Sequence, residues 1–331
     1  MMNVALGLSL AIGGGLGQGT YGLPLKYTKG WNWENTWSLW SLWALIIIPW
    51  LMAFITVKDL MGTYFQAPPG TLCMVFLFGV LWGLGGVTFG LALDRVGLAL
   101  TYGIIIGMTS AIGSLIPLFM RAESATYTAT LVIITAVLIC LIGVVIVSYS
   151  GGLKEKAQVK KNQSWKMGLA ICVFSGVMSP MLNIGFVRGE ELSELARDAG
   201  TSSLWSSLPI WSLALTGGFL VNICYCIYLL HKNRSAKLYS KGGVNWFYPF
   251  LMGLLWFGGM MLYGVGATAM GSLGPSIGWP TMMGVMIISA NIAGYLTGEW
   301  KGAKGKPLRI MSLGVFTIMA SICLFGYAAT L

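Results

Sequence analysis

Apolar residues run along this chain in blocks of about twenty, the length an α-helix needs to cross about 30 Å of hydrocarbon, and the polar residues gather between the blocks. Ten spans are predicted, at 4–23, 36–57, 71–93, 98–120, 127–149, 167–187, 204–230, 245–267, 274–297 and 308–329. The first is glycine-rich and has the weakest apolar signal. The opening MMNVALG has none of the basic residues that begin a cleaved signal peptide, so this segment is expected to stay as a membrane helix. The most polar connector, LKEKAQVKKNQSWK at 153–166, follows the fifth span and separates residues 1–152 from 167–331.

Within spans 3 and 8 the apolar pattern is spelled twice. GVLWGLGGVTFG (79–90) aligns with GLLWFGGMMLYG (253–264), setting Gly79 over Gly253, Trp82 over Trp256 and Gly85 over Gly259, with six identities over 79–97 against 253–271. The copies lie five spans apart, an odd number, so the second crosses the membrane in the opposite sense. Spans 1 and 6 pair more weakly, through GLSLAI (7–12) and GLAICV (168–173). The prediction is an all-α integral membrane protein with ten transmembrane helices in two inverted five-helix repeats. Secondary transporters use this arrangement, with the site near the midplane between the halves.

Composition agrees: 56% hydrophobic residues, 9% charged residues and a mean hydropathy of +0.78 lie far from soluble proteins, where about a quarter of residues are charged. A net charge of +10 would suit nucleic acid, but the distribution of the bases answers to a membrane instead. Sixteen Lys and Arg fall in loops 1–2, 3–4, 5–6, 7–8 and 9–10, against four, Lys58, Arg121, Arg188 and Arg197, on the other side. The positive-inside rule then puts both termini outside the cytoplasm and makes RGEELSELARDAG (188–200) an outside loop with a short surface helix. All six cysteines lie within predicted spans, so no disulfide framework is expected, and Cys224 and Cys226, two apart, point to different sides of a helix. No acid is near a span centre, and His231, the only histidine, is at a span end. An enzyme, a metal site and a cofactor are therefore not expected.

Trp82 and Trp256 are the midpoints of their spans. Membrane tryptophans usually sit at the interfaces, so indoles at the centre need a protein or ligand partner. One reading is packing between helices; the other is stacking on the C–H face of a sugar. In WNWENTWSLWSLW (31–43), Trp31, Trp33 and Trp37 read as an interfacial belt, while Trp40 and Trp43 lie roughly 10 and 5 Å from the span centre and join the ligand candidates. Gln18, with Tyr21 one turn later, and Asn183 supply neutral hydrogen-bonding groups for a polyhydroxylated ligand. Asn222, Asn291, Thr109 and Ser110 fit bonding between helices better. Glycines four apart, as at Gly79 and Gly83, allow close helix approach, and Ser179–Pro180 is a place for span 6 to bend.

The segments PLKYTKGWNWENTWSLW (24–40), VFLFGVLWGLGGVTFGL (75–91) and GLALTYGIIIGMTSAIGSLIPL (97–118), with GEW at 298–300, resemble the L-rhamnose/proton symporter family of the drug/metabolite transporter superfamily. The resemblance covers nearly the whole chain and is strongest over 20–118. It implies the ten-helix drug/metabolite transporter fold and uptake of L-rhamnose with a proton across a bacterial inner membrane by alternating access. Glu34, Asp94 and Glu123 are then the nearest carboxylates for proton coupling, with Glu34 favoured by its place in the first segment. The alternatives are coupling to sodium, a facilitator or exporter without coupling, and a same-fold transporter of another sugar or small metabolite. A scaffold or receptor that moves no solute is a further alternative. Oligomeric state is not legible.

Overall fold

The computed structural model describes residues 3–121, 123, 125–155, 165–298, 300 and 305–331; the side chains at 94, 98, 99, 154, 155 and 165 lie outside that description. Among the described residues the chain is helical, with no strand. Asn3 accepts from the Leu6 N–H at 3.0 Å and so caps α1 (Val4–Thr20). After a short connector, α2 (Trp33–Thr56) begins three residues before its predicted start. The Asn32 N–H donates to Asn35 Oδ1 at 3.2 Å there, tying the first turn down and drawing Glu34 into the helix. One wide turn interrupts α2 at Trp43–Ile47. A short α3 (Leu60–Gln66) follows.

The third and fourth spans, α4 (Pro69–Leu93) and α5 (Leu100–Met120), have no true loop between them. Their helical run breaks only at Gly97, whose φ of 79° a side chain would strain. α6 (Tyr127–Glu155) follows. The linker predicted at 153–166 lies mostly outside the described residues. α7 (Trp165–Met178) stops at Ser179–Pro180, where proline disrupts the helical ladder, and the chain resumes as α8 (Met181–Arg188). α9 (Glu190–Asp198) is the surface helix expected from the acidic stretch, burying Leu192, Ser193 and Ala196. Then come α10 (Leu208–Lys232), α11 (Phe247–Ala269), α12 (Gly274–Leu296) and α13 (Lys306–Ala328).

Among the described residues nine segments are long and apolar enough to cross a membrane; α1, with 17 residues, is at the short end of what can span. Their outer surface is apolar: Phe54, Ile55, Leu138, Ile142 and Phe316 are exposed, as lipid-facing residues are. The chain is a multi-pass membrane protein. α1 packs on α11 and α12, α13 lies along α6, and α4 crosses α10. Gly79 and Gly253 each lie against a neighbouring helix. A Cβ on Gly79 would overlap the Ala214 carbonyl of α10, and one on Gly253 would press on Trp43 and Ala44 of α2.

Candidate substrate site

These packings leave a cavity of about 440 Å³ in the middle of the bundle, extending to the end of the molecule where Gly22, Gly151, Asn291 and Trp300 lie. Among the described residues, the connector after Gly22 carries Lys26 and Lys29, and Lys29 meets Asn245 of the connector after α10 there. The two tryptophans of the repeat meet in its wall: the rings of Trp82 and Trp256 are 5.4 Å apart at 33°. Trp40 stands edge-on to Trp256 at 5.6 Å, and Trp37 follows at 4.2 Å from Trp40. Tyr21 lies 5.9 Å from Trp40. The Gln18 amide donates to the Trp256 carbonyl at 2.9 Å, clamping α1 to α11.

Five sequence-predicted ligand residues, Gln18, Tyr21, Trp40, Trp82 and Trp256, thus share one wall. The other two stand apart. Trp43, at the start of the wide turn, packs on Phe250 at 5.0 Å and against Gly253, so it serves the helix contact instead of the cavity. Asn183 is buried with its amide fully engaged: it donates to the Gly113 carbonyl at 2.7 Å and the Pro275 carbonyl at 3.4 Å, and it accepts from the Tyr263 hydroxyl.

The wall also holds residues that sequence reasoning placed elsewhere or passed over. Trp37 was expected in the interfacial belt, but it lines the cavity and donates to Asn222 Oδ1 at 3.0 Å. The early start of α2, together with a cavity that reaches this end of the bundle, brings it in. Trp279, hidden in GPSIGWP only five residues into its span, lines the far end and donates to the Thr109 carbonyl at 3.1 Å. Met260, Met283 and Met286 had no pattern to mark them. Two polar atoms of lining residues, Trp40 Nε1 and Thr109 Oγ1, are buried without a hydrogen-bond partner. Such orphans are rare in native structures and call for an explanation, for which a ligand hydroxyl is suited.

Beyond Trp279 hydrogen bonds join the helices. Ser114 Oγ donates to the Ser276 carbonyl at 2.6 Å, and Arg121 donates to the Ser272 carbonyl at 3.0 Å while pairing with Glu190. With the Asn183 bonds, these tie α5 to α8, α9 and the start of α12 at one end only.

Of the carboxylates, Glu34 is 3% exposed and accepts from Asn32 at 3.2 Å, Asn233 at 2.9 Å and Ser235 at 2.6 Å. Nearby, Tyr239 in the loop after α10 shares a 2.6 Å hydrogen bond with Ser38, and burial pushes its phenol above the usual range. Glu123 is exposed, and the side chain of Asp94 lies outside the described residues. Among the described residues no group of three His, Cys, Asp or Glu is placed to hold a metal ion.

A helical membrane bundle with a central cavity, walled by indoles and neutral amides, defines a carrier for a small uncharged solute. The chain belongs to the L-rhamnose-proton symport protein (RhaT) family, whose sequence model matches residues 1–330. It is 28% identical over 340 residues to proteins named L-rhamnose-proton symporter from Yersinia pestis (strain Pestoides F) and Yersinia pseudotuberculosis serotype O:1b (strain IP 31758). Each match covers 98% of this chain and 99% of the relative. The family is one of transporters, not enzymes.

Proposed function

We propose that this protein takes up L-rhamnose together with protons across a bacterial inner membrane by alternating access, with ten helices in two inverted five-helix halves and both termini on the periplasmic side. The observation that carries the reading is the meeting of Trp82 and Trp256, one from each half, in the wall of a cavity whose polar groups, among the described residues, are neutral. An indole face suits the C–H face of a pyranose, and amides both donate and accept as sugar hydroxyls do. Trp40 Nε1 and Thr109 Oγ1 are the groups with capacity to spare. Tyr21 and Trp37 complete the wall, while Asn183 and Trp43 act on the helices around it.

The inverted repeat is supported by the packing of its glycines. Gly79 meets α10, the second helix of the later half, and Gly253 meets α2, the second helix of the earlier half. Exchanging the halves turns one contact into the other. With the base-rich end cytoplasmic, the cavity faces inward, and the bonds of Asn183, Ser114 and Arg121 seal the periplasmic side. Rocking of one half against the other would part them and close the inner mouth, as in other repeat-built carriers.

Glu34 is the best-placed of the three coupling carboxylates. Its cradle joins α2 of the first half to the loop after α10 of the second, so its charge bears on how the halves are held. Protonation would remove acceptors from Asn233 and Ser235 and loosen that joint. Uptake into liposomes under an imposed proton gradient tests the whole reading: L-rhamnose should accumulate above equilibrium. Equilibration alone would leave a facilitator, and no uptake would leave the carrier without its substrate.

A further inference from the structure

A second cavity, of about 680 Å³, lies toward the end of the molecule that holds Asn3 and α9, with Arg121, Glu190, Arg197 and Thr268 in its wall. Three helices run from one cavity to the other. Leu182 of α8, Met260 of α11 and Trp279 of α12 line the central cavity, and Phe186, Val265 and Pro275 of the same helices line the second. Each step is four or five residues, about 6–8 Å at 1.5 Å per residue, so roughly one helical turn separates the two cavities. The side chains of that turn form a single layer. Tyr263 is at its centre: its ring lies 5.9 Å from Phe186 on one side and 5.4 Å from Trp279 on the other, and its hydroxyl donates to Asn183. Trp211 stacks on Phe186 at 4.8 Å and stands 6.1 Å from Tyr263. The layer is buried, yet Trp211 Nε1 and Ser276 Oγ have no hydrogen-bond partner among the described residues. Packing alone gives no reason to keep two such orphans, whereas a passage crossed by water and hydroxyl groups does.

We infer that the second cavity is an entry site for the transported sugar, and that the hydrogen-bonded pair Asn183 and Tyr263 is the partition the sugar crosses to reach the central cavity. The inference rests on the reading of the protein as a carrier that takes up L-rhamnose, in the orientation proposed above, which makes this the outer cavity. Its chemistry differs from that of the central cavity. Arg121 and Arg197 offer forked donors and Glu190 an acceptor, a set that can hold neighbouring hydroxyl groups, and Phe186 offers a ring face. Arg121 and Glu190 are bonded to each other, so a sugar hydroxyl that binds either one competes with that pair. Arrival of the sugar would thus loosen the contacts of α5 with α9 next to the partition. Asn183 then has a role that its burial alone does not give it: it holds the Tyr263 ring across the path.

The test uses the full chain without its native cysteines, in right-side-out membrane vesicles, with a membrane-impermeant thiol reagent added outside. Thr268→Cys should react, L-rhamnose should slow the reaction, and the modified protein should lose uptake relative to the same variant before modification. Tyr263→Phe keeps the ring and removes only its bond to Asn183; combined with Thr109→Cys, it should speed labelling of the central cavity from outside about fivefold, the population shift that one hydrogen bond supplies. Labelling of Thr268→Cys that L-rhamnose does not slow, or complete labelling that leaves uptake intact, would overturn the entry site. Labelling of Thr109→Cys that Tyr263→Phe leaves unchanged would overturn the partition. Uptake of L-rhamnose by wild type is measured alongside: if it is absent, the substrate reading falls and takes the entry site with it, while the Thr109→Cys labelling still decides the partition.

Discussion

Trp82 and Trp256 show how a single residue type can be read twice. Each is apolar surface that helps hold the bundle, and each is a ring face on the cavity, so substitution must be judged by transport in protein that still folds. Trp82→Ala and Trp256→Ala should each weaken L-rhamnose uptake roughly tenfold or more, about 1.4 kcal/mol of lost interaction, and by comparable amounts. Initial rates across a concentration series would show it; one variant behaving as wild type would make that indole packing alone. Glu34→Gln makes a different prediction. It should abolish accumulation driven by a proton gradient while sparing exchange of L-rhamnose across the membrane, and full accumulation by this variant would remove Glu34 as the coupling group. Both tryptophans were legible in the sequence because they are repeated at span centres. Trp37 was not, because depth counted from a predicted boundary placed it at the interface, and Asn183 was misleading because an amide in an apolar span looks the same whether its partner is a sugar or a backbone carbonyl. Trp279 and the methionines carry no periodic or polar signal to set them apart from core.

The elements follow from a few local rules. Proline after Ser179 stops α7, Gly97 turns α4 into α5, and Asn32 starts α2 early enough to bury Glu34. The approximate bounds of the nine long apolar segments could be read from hydropathy because hydrocarbon thickness sets helix length. The kink at Gly97 and the wide turn at Trp43 could not, since both depend on how neighbouring helices pack. Gly79 is the sharpest probe at this scale. Gly79→Ala would force a methyl group into the carbonyl of Ala214, so the purified protein should lose about 1–3 kcal/mol of stability, seen as a lower melting temperature in detergent. An unchanged melting temperature would mean that α4 and α10 are not held so closely.

At the scale of the molecule, hydrogen bonds hold residues 3–121 to residues 165–298 at both ends: those of Asn183, Ser114 and Arg121 beyond Trp279, and the Glu34 cradle at the other. Arg121 is the outermost of the bonded groups, joining Glu190 and the Ser272 carbonyl. Arg121→Ala should shift the population toward the state open on that side. In a background without native cysteines, a cysteine placed at Thr109 should then react faster with a membrane-impermeant thiol reagent added outside, and labelling unchanged by the substitution would count against Arg121 as a latch. The account as a whole stands on sugar and proton moving together through the site that the two halves build. The most direct measurement is the accumulation ratio of labelled L-rhamnose in proteoliposomes under an inward proton gradient, for wild type and Trp256→Ala side by side. Accumulation above equilibrium in wild type, collapsed by a protonophore and strongly reduced by the substitution, is the predicted result. A ratio that never exceeds equilibrium, or one that Trp256→Ala leaves intact, would contradict it.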